Sequence, residues 1–263
     1  GVGGGVGGVR LLCVVIATAG ESVAQADAVA HSWLRRCDGS LLFSRAPPPH
    51  LPAVRSLYES ALSPSWAQAH AVMLQVRTAL SRRYDTFLFA TDRTHISIPT
   101  LRSYLASADL AAVRASGAPL FLGRRFALDG DVRRTFHSAA AGYVLNGAAL
   151  DVLSAAACAP GGTSESDAGD VALGDCLRGR GVEPRDTRDA VGAERFNPFS
   201  PERHLQYAPS EGDWYTRFSP GLRAGAEGCS RWAVSFAGLA AEEMRELDRL
   251  VERVLCSGAG GAT

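Results

Sequence analysis

The chain has 263 residues, of which 46% are hydrophobic and 21% are charged, and its 27 basic side chains balance 27 acidic ones. This composition provides enough apolar side chains for a buried core and excludes a disordered chain, a collagen and a coiled coil. A net charge of +0 creates no general field for a phosphate backbone, and we find no basic patch long enough to bind nucleic acid.

The chain begins with a glycine-rich segment, residues 1–8, which has the composition of a linker. The apolar run at residues 11–19 is less than half as long as the about 20 residues of a membrane-spanning helix, and its β-branched side chains favour a strand. We therefore expect one domain over residues 9–256, followed by a flexible tail at residues 257–263.

Apolar spacing then predicts an alternation of strands and helices. The predicted elements are a strand at residues 9–16, a helix at 22–35, a strand at 41–43, a helix at 66–83, a strand at 87–90 and a last amphipathic helix at 241–255. Strands that alternate with helices predict a parallel α/β sheet.

The polar residues Thr91, Asp92 and Arg93 come directly after the third predicted strand. In open parallel sheets, ligands bind outside the carboxyl ends of the strands, so this is the first place to look for chemistry. An aspartate there is also common as an ordinary turn residue. The surroundings must decide between the two roles.

The chain has six cysteines, none of them in a CxxC pair, and six scattered histidines, a pattern that argues against a structural zinc site. An even number of cysteines fits three disulfides in a secretory compartment. Six free core thiols in a cytosolic protein would give the same count. The four tryptophans include Trp33, Trp66 and Trp232, which we expect in the core.

Longer motifs follow in a fixed order along most of the chain. They are LGRRF at residues 122–126, AGYVL at 141–145, DVALGDC at 170–176, DTRDAVG at 186–192, FNPFSPERHL at 196–205 and CSRWAVSF at 229–236. With Cys13, Trp33, Cys37 and the TDRTH segment at 91–95, their order and spacing resemble the Fringe-like β1,3-glycosyltransferases. Within that group the chain most resembles the core 1 β1,3-galactosyltransferases.

This resemblance implies a GT-A glycosyltransferase fold, an α/β domain with a mostly parallel central sheet in which nucleotide-binding and acceptor-binding halves are merged. It implies an inverting enzyme that moves galactose from UDP-galactose to the 3-hydroxyl of O-linked GalNAc on a glycoprotein or glycopeptide. The implied location is the lumen of the Golgi or secretory pathway, with a type II membrane anchor outside this chain. A homodimer is an open alternative.

An inverting transfer needs a carboxylate that accepts the proton of the attacking hydroxyl. The family carries a Glu-Asp pair before its Leu-Ala-Leu-Gly stretch, and this chain has Gly169 and Asp170 there. The resemblance thus makes Asp170 the candidate general base. The other interpretation is that Asp170 only caps a helix beginning at Val171.

The metal position is where the chain departs most from the family. The family has an Asp-Asp-Asp sequence whose last carboxylate holds manganese, and this chain has Thr91, Asp92 and Arg93 there. The family also has a histidine after its Val-Ser-Phe stretch, and this chain has Ala237 at that position. Manganese needs oxygen or imidazole ligands. We therefore expect no cofactor and no ordinary metal site, with Asp92 as a ligand at most.

Two explanations of this loss compete. In the first, the Arg93 guanidinium supplies the positive charge and the donors that a diphosphate needs, and transfer is independent of metal. In the second, the chain is a non-catalytic pseudoenzyme similar to the chaperone relative of core 1 synthase. The residues at 236–239 are similar to that chaperone, whereas those at 123–125 and 186–192 follow the enzymes.

The resemblance also assigns binding roles and disulfides. The donor would contact Thr91, Asp92, Arg93, Ala141 and Gly142, and the acceptor would contact Trp214, Tyr215 and Arg188. Cys13 with Cys37 and Cys158 with Cys176 match pairing positions of the family. The family's double cysteine is reduced to Cys229, for which Cys256 is the expected new partner.

Overall fold

A computed structural model describes residues 9–18, 22–44, 50–51, 54–55, 65–161, 166 and 168–258, with the backbone alone at 54–55 and 254–258. The strands are β1 (Leu11–Ile16), β2 (Gly39–Ser44), β3 (Val54–Arg55), β4 (Thr86–Thr91), β5 (His95–Ile96), β6 (Phe121–Gly123), β7 (Arg125–Leu128), β8 (Asp131–His137), β9 (Tyr143–Asn146), β10 (Phe196–Asn197) and β11 (Ser235–Phe236). The helices are α1 (Val23–His31), α2 (Trp66–Leu80), α3 (Ile98–Leu105), α4 (Ala108–Ser116), α5 (Gly147–Val152), α6 (Gly169–Arg178), α7 (Pro201–Gln206), α8 (Trp214–Phe218) and α9 (Ala241–Gly258).

The central sheet has the strand order β3-β2-β1-β4-β9-β6. Strands β3, β2, β1 and β4 pair in parallel, whereas β9 pairs antiparallel with both β4 and β6. All strands of this sheet other than β9 therefore run in one direction. The predicted mixed α/β fold with a mostly parallel central sheet is confirmed, and it is consistent with a glycosyltransferase fold.

Helices cover both faces of the sheet, because successive side chains of a strand point to opposite sides. In β1, Leu11, Cys13 and Val15 pack in one core cluster, which includes side chains of α1, α3 and α9. Leu12 and Val14 pack in the second cluster, with side chains of α2, α5 and α6. The continuous apolar run that predicted β1 thus reflects burial on both faces.

Two smaller sheets stand beside the central one. Strands β10, β11 and β5 form a three-stranded sheet, and β7 and β8 form an antiparallel pair. An aromatic cluster that includes Phe126, Phe136, Phe199 and Tyr215 packs around the β7–β8 pair. All five strands of these two smaller sheets follow β4 in the chain.

The predicted helix at residues 22–35 is too long. Ser22 caps α1 by accepting a hydrogen bond from the Gln25 N–H at 3.1 Å, but α1 ends at His31, and residues 33–36 form a tight 3-10 turn. This turn carries the Trp33 indole into the core, where it has no exposed surface. Helix α2 likewise ends at Leu80 rather than at residue 83.

Two of the three tryptophans expected in the core are there, since both Trp33 and Trp66 are buried. The expectation for Trp232 is wrong, because 56% of this residue is exposed. Trp232 lies in the turn before β11, and Val234, the residue directly before β11, is buried instead.

Two of the three expected disulfides are present. Cys13 is bonded to Cys37, and Cys158 is bonded to Cys176. The third expectation is wrong: Cys229 is a free thiol, and its Sγ lies 3.6 Å from Oδ1 of Asn197. The side chain of Cys256 lies outside the described residues.

The expected linker at residues 1–8 lies outside the described residues. Helix α9 continues to Gly258, so it overlaps the first two residues of the expected tail, and residues 259–263 lie outside the description. Among the helices of the described part, none combines the length and the apolar character that a membrane crossing requires.

Candidate functional site

The candidate site lies at the edge of the central sheet where β1 and β4 end. These two strands run in parallel, with Ile16 opposite Thr91, so their carboxyl ends meet. Strand β9 is antiparallel to β4 and pairs Tyr143 with Phe89, so the chain enters β9 at this same edge. The edge thus collects the residues after β1, those after β4 and those before β9.

A tight turn follows β4 and is held by threonine hydroxyls. The Thr91 and Thr94 hydroxyls are 2.8 Å apart and hydrogen bonded, and the Thr94 hydroxyl also donates to the carbonyl of Ala140 at 2.8 Å. The Thr94 N–H donates to the Thr91 carbonyl at 3.2 Å. This network ties the turn after β4 to the segment that leads into β9.

Asp92 is buried beneath this turn. One of its carboxylate oxygens accepts hydrogen bonds from the N–H and the hydroxyl of Thr18, at 3.0 and 2.9 Å. Burial raises the pKa of Asp92, although the two bonds from Thr18 act in the opposite direction. Asp92 therefore connects the ends of β1 and β4, and its Oδ1 is committed to that contact.

Arg93, in contrast, is exposed. Its backbone is fixed at both ends, because its N–H donates to the Thr91 hydroxyl at 3.3 Å and its carbonyl accepts from the Leu239 N–H at 3.1 Å. Within the described part of the chain, the Arg93 guanidinium forms no ion pair. The Arg93 charge also acts on the neighbouring Asp92 carboxylate, whose pKa it lowers, so the edge of the sheet holds an exposed positive charge above a buried carboxylate.

Asp170 lies in the first turn of α6, which begins at Gly169, so Asp170 is not the capping residue. Its Oδ2 accepts from the Ala139 N–H at 3.1 Å, and its Oδ1 accepts from the Val171 N–H at 2.9 Å. Burial raises the pKa of Asp170, and the two backbone donors oppose that rise. The result is a fixed, weakly acidic carboxyl group.

Asp170 lines a cavity of about 20 Å³, enough room for one water molecule or one hydroxyl group but not for a sugar ring. Thr91 lines the same cavity, so the structure brings these two predicted residues together. The remaining walls are mostly apolar; they are Ile16, Ala69, Phe89, Ala90, Ala139, Tyr143 and Gly169.

Sequence reasoning missed three residues of this site. Tyr143 lines the cavity next to Asp170, Ala139 fixes the carboxylate, and Thr18 holds Asp92. Tyr143 belongs to the AGYVL motif, which was a usable signal. No sequence signal identifies Ala139 or Thr18, because each acts through its backbone or through a contact with a residue far away in the chain.

The two small residues expected to contact the donor are structural in this conformation. Ala141 is fully buried, and its carbonyl accepts from the Ser235 hydroxyl at 2.6 Å. Gly142 has a φ of 75°, and a Cβ there would lie 3.3 Å from the carbonyl oxygen of Phe89. Glycine is required at this position for the close approach of the turn to β4.

The residues at the family's metal positions do not fit a divalent cation. Asp92 already accepts two hydrogen bonds, Arg93 carries a positive charge, and Ala237 presents only a buried methyl group. Across the described segments, no group of three or more His, Cys, Asp or Glu side chains is arranged to hold a metal ion.

The expected acceptor residues lie around a different cavity, of about 290 Å³. Arg188 lines it and is held by Asp186, which accepts from Arg188 Nε at 3.0 Å. Trp214 is partly exposed and packs edge-to-face on Phe126, which lines the same cavity, with ring centroids 6.0 Å apart. This cavity and the Asp170 cavity share no lining residue.

Tyr215 lies beneath this second cavity and is only 1% exposed. Its hydroxyl accepts a hydrogen bond from Arg124 Nη2 at 3.3 Å, so the ring does not offer a face to an acceptor in this conformation. Arg124 is itself buried and forms an ion pair with Glu194, which lines the cavity. Glu194 is a further candidate that sequence reasoning missed.

Comparison with known proteins finds a distant similarity that extends along most of the chain. No protein-family model matches the chain. The chain is 27% identical over 258 residues to glycoprotein-N-acetylgalactosamine 3-beta-galactosyltransferase 1 of Xenopus laevis, covering 95% of this chain and 68% of that protein. This similarity indicates a distant relation to that galactosyltransferase.

Proposed function

We propose that the protein is an inverting glycosyltransferase that transfers galactose from UDP-galactose to the 3-hydroxyl of O-linked GalNAc on a glycoprotein. The observation that carries the proposal is the half-buried Asp170 carboxyl, which two backbone donors hold beside a cavity that Thr91 also lines. Similarity over 95% of the chain to a galactosyltransferase supports a glycosyltransferase.

Asp170 is the proposed general base. The acceptor oxygen forms a bond to the anomeric carbon while the bond from that carbon to the diphosphate oxygen breaks, and the hydroxyl proton moves to the Asp170 carboxylate. A cavity the size of one water molecule admits a hydroxyl group next to this carboxylate. Because burial raises its pKa, Asp170 is a stronger base than an exposed aspartate.

Arg93 is proposed to stabilise the leaving diphosphate. Negative charge develops on that group as the sugar departs, and a guanidinium offers several donors in a fixed planar fork. Arg93 is exposed, has a fixed backbone and forms no ion pair in the described part of the chain. Although the Arg93 charge acts on the neighbouring Asp92 carboxylate, its exposed guanidinium can still donate to a ligand.

For the acceptor, we propose the cavity that Arg188 lines. It combines charged side chains with the aromatic faces of Phe126 and the neighbouring Trp214, which is typical of sites that bind sugars. Two disulfides fit a lumenal location, so we place the protein in the secretory pathway.

A non-catalytic role, in which the chain binds a nucleotide sugar or a client protein, is the second candidate. Specific observations favour it: Ala237 is buried, Arg93 stands where the resemblance expects a carboxylate, and Thr18 occupies Asp92 Oδ1. These three residues offer a divalent cation no more than the second oxygen of Asp92.

The deciding experiment measures release of UDP from UDP-galactose in the presence of a GalNAc-bearing peptide, with and without EDTA. We expect turnover in both conditions. Turnover that EDTA abolishes contradicts the role of Arg93. No turnover, with UDP binding retained or lost in a calorimetric titration, rejects the transferase and leaves the non-catalytic candidate.

A further inference from the structure

A third cavity, of about 240 Å³, lies between α3 and the three-stranded sheet. It shares no lining residue with the Asp170 cavity or with the cavity of Arg188. Its lining residues carry hydroxyls, two aromatic rings and one positive charge, and none is acidic; they are Thr100, Ser103, Tyr104, Ser107, Arg195 and Trp232. The role of this cavity is not part of the proposed transfer reaction.

Arg195 is the charged group of this cavity. Its guanidinium carbon lies 4.7 Å from the centre of the Tyr104 ring, so it stacks on an aromatic face. Its Nε is buried and makes no hydrogen bond, and within the described residues the side chain forms no ion pair. Because Nε has no exposed surface, a ligand in the cavity would accept from the two outer nitrogens of the guanidinium, and a charge-assisted hydrogen bond there is stronger than a neutral one.

The positive charge is held in place by the backbone. The Arg195 carbonyl accepts from the Val234 N–H at 2.6 Å and from the Ser235 N–H at 3.2 Å, where β10 and β11 begin. Burial raises the pKa of Tyr104; the charges of Arg195 and Arg185 oppose that rise, whereas the carboxylates of Asp186 and Asp109 add to it, so charges of both signs act on this ring. Because Arg195 is the charged residue that lines the cavity itself, an anion is the ligand that the lining favours.

Trp232 supplies an exposed apolar wall. It is 56% exposed, and the Arg231 guanidinium carbon lies 5.2 Å from the ring centre. The C–H face of a pyranose ring packs well on such an indole. The Tyr104, Ser103 and Ser107 hydroxyls have no hydrogen-bond partner in the described part of the chain, so they are available to the hydroxyls of a sugar.

We propose that this cavity binds a pyranose that carries a carboxylate, as uronic acids do. The ring packs on Trp232, the carboxylate accepts from the outer nitrogens of the Arg195 guanidinium, and the hydroxyls of Ser103, Tyr104 and Ser107 contact the sugar hydroxyls. An acidic peptide is the less favoured ligand, because it would use the positive charge but leave the exposed indole without a ring to pack on it.

The test uses saturation-transfer NMR and tryptophan fluorescence with three probes: methyl β-D-glucuronide, methyl β-D-glucoside and a hexaglutamate peptide. We expect the glucuronide to bind about tenfold more tightly than the glucoside, since one charge-assisted contact is worth about that factor. Arg195→Gln and Trp232→Ala should each weaken glucuronide binding about tenfold or more, whereas Arg83→Ala, at an exposed arginine outside the cavity, should not change it.

If the Arg195 variant does not fold, two other variants still test the site. Trp232→Ala changes an exposed side chain and should fold, and Tyr104→Phe removes only one hydroxyl from the cavity. Equal binding of glucoside and glucuronide overturns the carboxylate contact. Tighter binding of hexaglutamate, in competition with the glucuronide, overturns the sugar assignment, and so does absence of saturation transfer. Because no UDP-galactose is present, the result is independent of whether the transferase activity exists.

Discussion

The Asp170 carboxylate and the Ala139 backbone N–H are joined by a hydrogen bond of 3.1 Å. This bond connects the first turn of α6 to the segment that leads into β9, across 31 residues of sequence. Since the Thr94 hydroxyl bonds to Ala140, the same segment is also tied to the turn after β4. The position of the proposed base therefore depends on two elements that are themselves fixed to the sheet edge.

Replacing the proposed base should remove transfer without unfolding the protein. In Asp170→Asn, the amide oxygen can still accept one backbone N–H, but the side chain cannot take a proton at neutral pH. We expect kcat for UDP-galactose and a GalNAc-peptide to fall by about 10²–10⁴-fold. The matched control is Asp151→Asn, at a 64% exposed aspartate paired with Arg77, which should retain normal turnover. Equal kcat in both variants would exclude Asp170 as the base.

The pH dependence of transfer should follow the raised pKa of Asp170. Only the ionised carboxylate accepts a proton, so kcat should fall as the pH is lowered through a value above that of an ordinary aspartate. The raised pKa also affects stability. Between the pKa of Asp170 in the unfolded state and its higher pKa in the folded state, the folded protein binds more protons, so the contribution of Asp170 to the free energy of unfolding decreases as the pH rises. Both effects should be absent in Asp170→Asn. They are measured by pH–rate profiles and by chemical denaturation between pH 4 and pH 8. If kcat of the variant still fell at low pH as in the wild type, Asp170 would not be the titrating group.

Arg93 should matter for the donor and not for the fold. Removing the guanidinium in Arg93→Ala should lower kcat about 100-fold, the size of effect seen when one donor to a developing negative charge is lost. Arg93→Lys should recover part of the loss, because it keeps the charge but not the fork. Melting temperatures should stay unchanged, since Arg93 is exposed. If Arg93→Ala turned over at the wild-type rate, another group and not Arg93 would stabilise the charge on the leaving diphosphate.

The bond between Cys158 and Cys176 should stabilise the protein and hold α6. It closes a loop with a sequence separation of 18, for which chain entropy predicts about 3 kcal/mol in the free energy of unfolding. Cys158→Ala with Cys176→Ala should lower both stability and kcat, because Asp170 lies in the same helix. The comparison is the double variant Cys13→Ala with Cys37→Ala, which removes the disulfide with a sequence separation of 24. This variant should lose a comparable free energy of unfolding, but its kcat per folded molecule should fall less than that of the Cys158/Cys176 variant. A larger fall in kcat for the Cys13/Cys37 variant would contradict the role of α6.

Asp248 should make the protein sensitive to acid. It accepts from Arg36 Nη1 at 2.6 Å and contacts His95 Nε2 at 3.0 Å. Burial alone would raise the pKa of Asp248, but the bonds from His95 and Arg36 outweigh it and lower the pKa to about 2. A depressed folded pKa adds stability above the unfolded value of about 3.9, and that stability is lost as the pH falls from about 4 to about 2.

The corresponding substitution is Asp248→Asn, which leaves Arg36 without its buried partner. We expect it to lower the free energy of unfolding by about 3 kcal/mol at pH 7, and by much less near pH 2, as measured by urea denaturation. Glu252→Gln, at a 42% exposed partner of Arg36, should cost less than about 1 kcal/mol. Equal losses in the two variants would show that burial of Asp248 does not decide the effect.

Local patterns predicted several of the longer strands and helices, both those buried throughout and those with one buried face. The apolar runs gave β1 and β4, and the spacing of apolar residues gave α2 and α9, because hydrophobic periodicity follows directly from which face is buried. The pairs Cys13–Cys37 and Cys158–Cys176 and the candidate Asp170 came from motifs whose order resembles a known family. Short elements such as β5 and β10 have two residues each and leave no such period to detect.

The sequence alone therefore determined the α/β class, because this class depends on the order of the elements. The site after β4 and the replacement of metal ligands stay predictions, which rest on residue type and on the resemblance. The tertiary structure decided what each side chain contacts: Asp92 bonds to Thr18, Asp170 bonds to Ala139, and Trp232 is exposed. These contacts join residues that are far apart in the chain. They are set by how strands and helices pack in space, which no spacing along the sequence records.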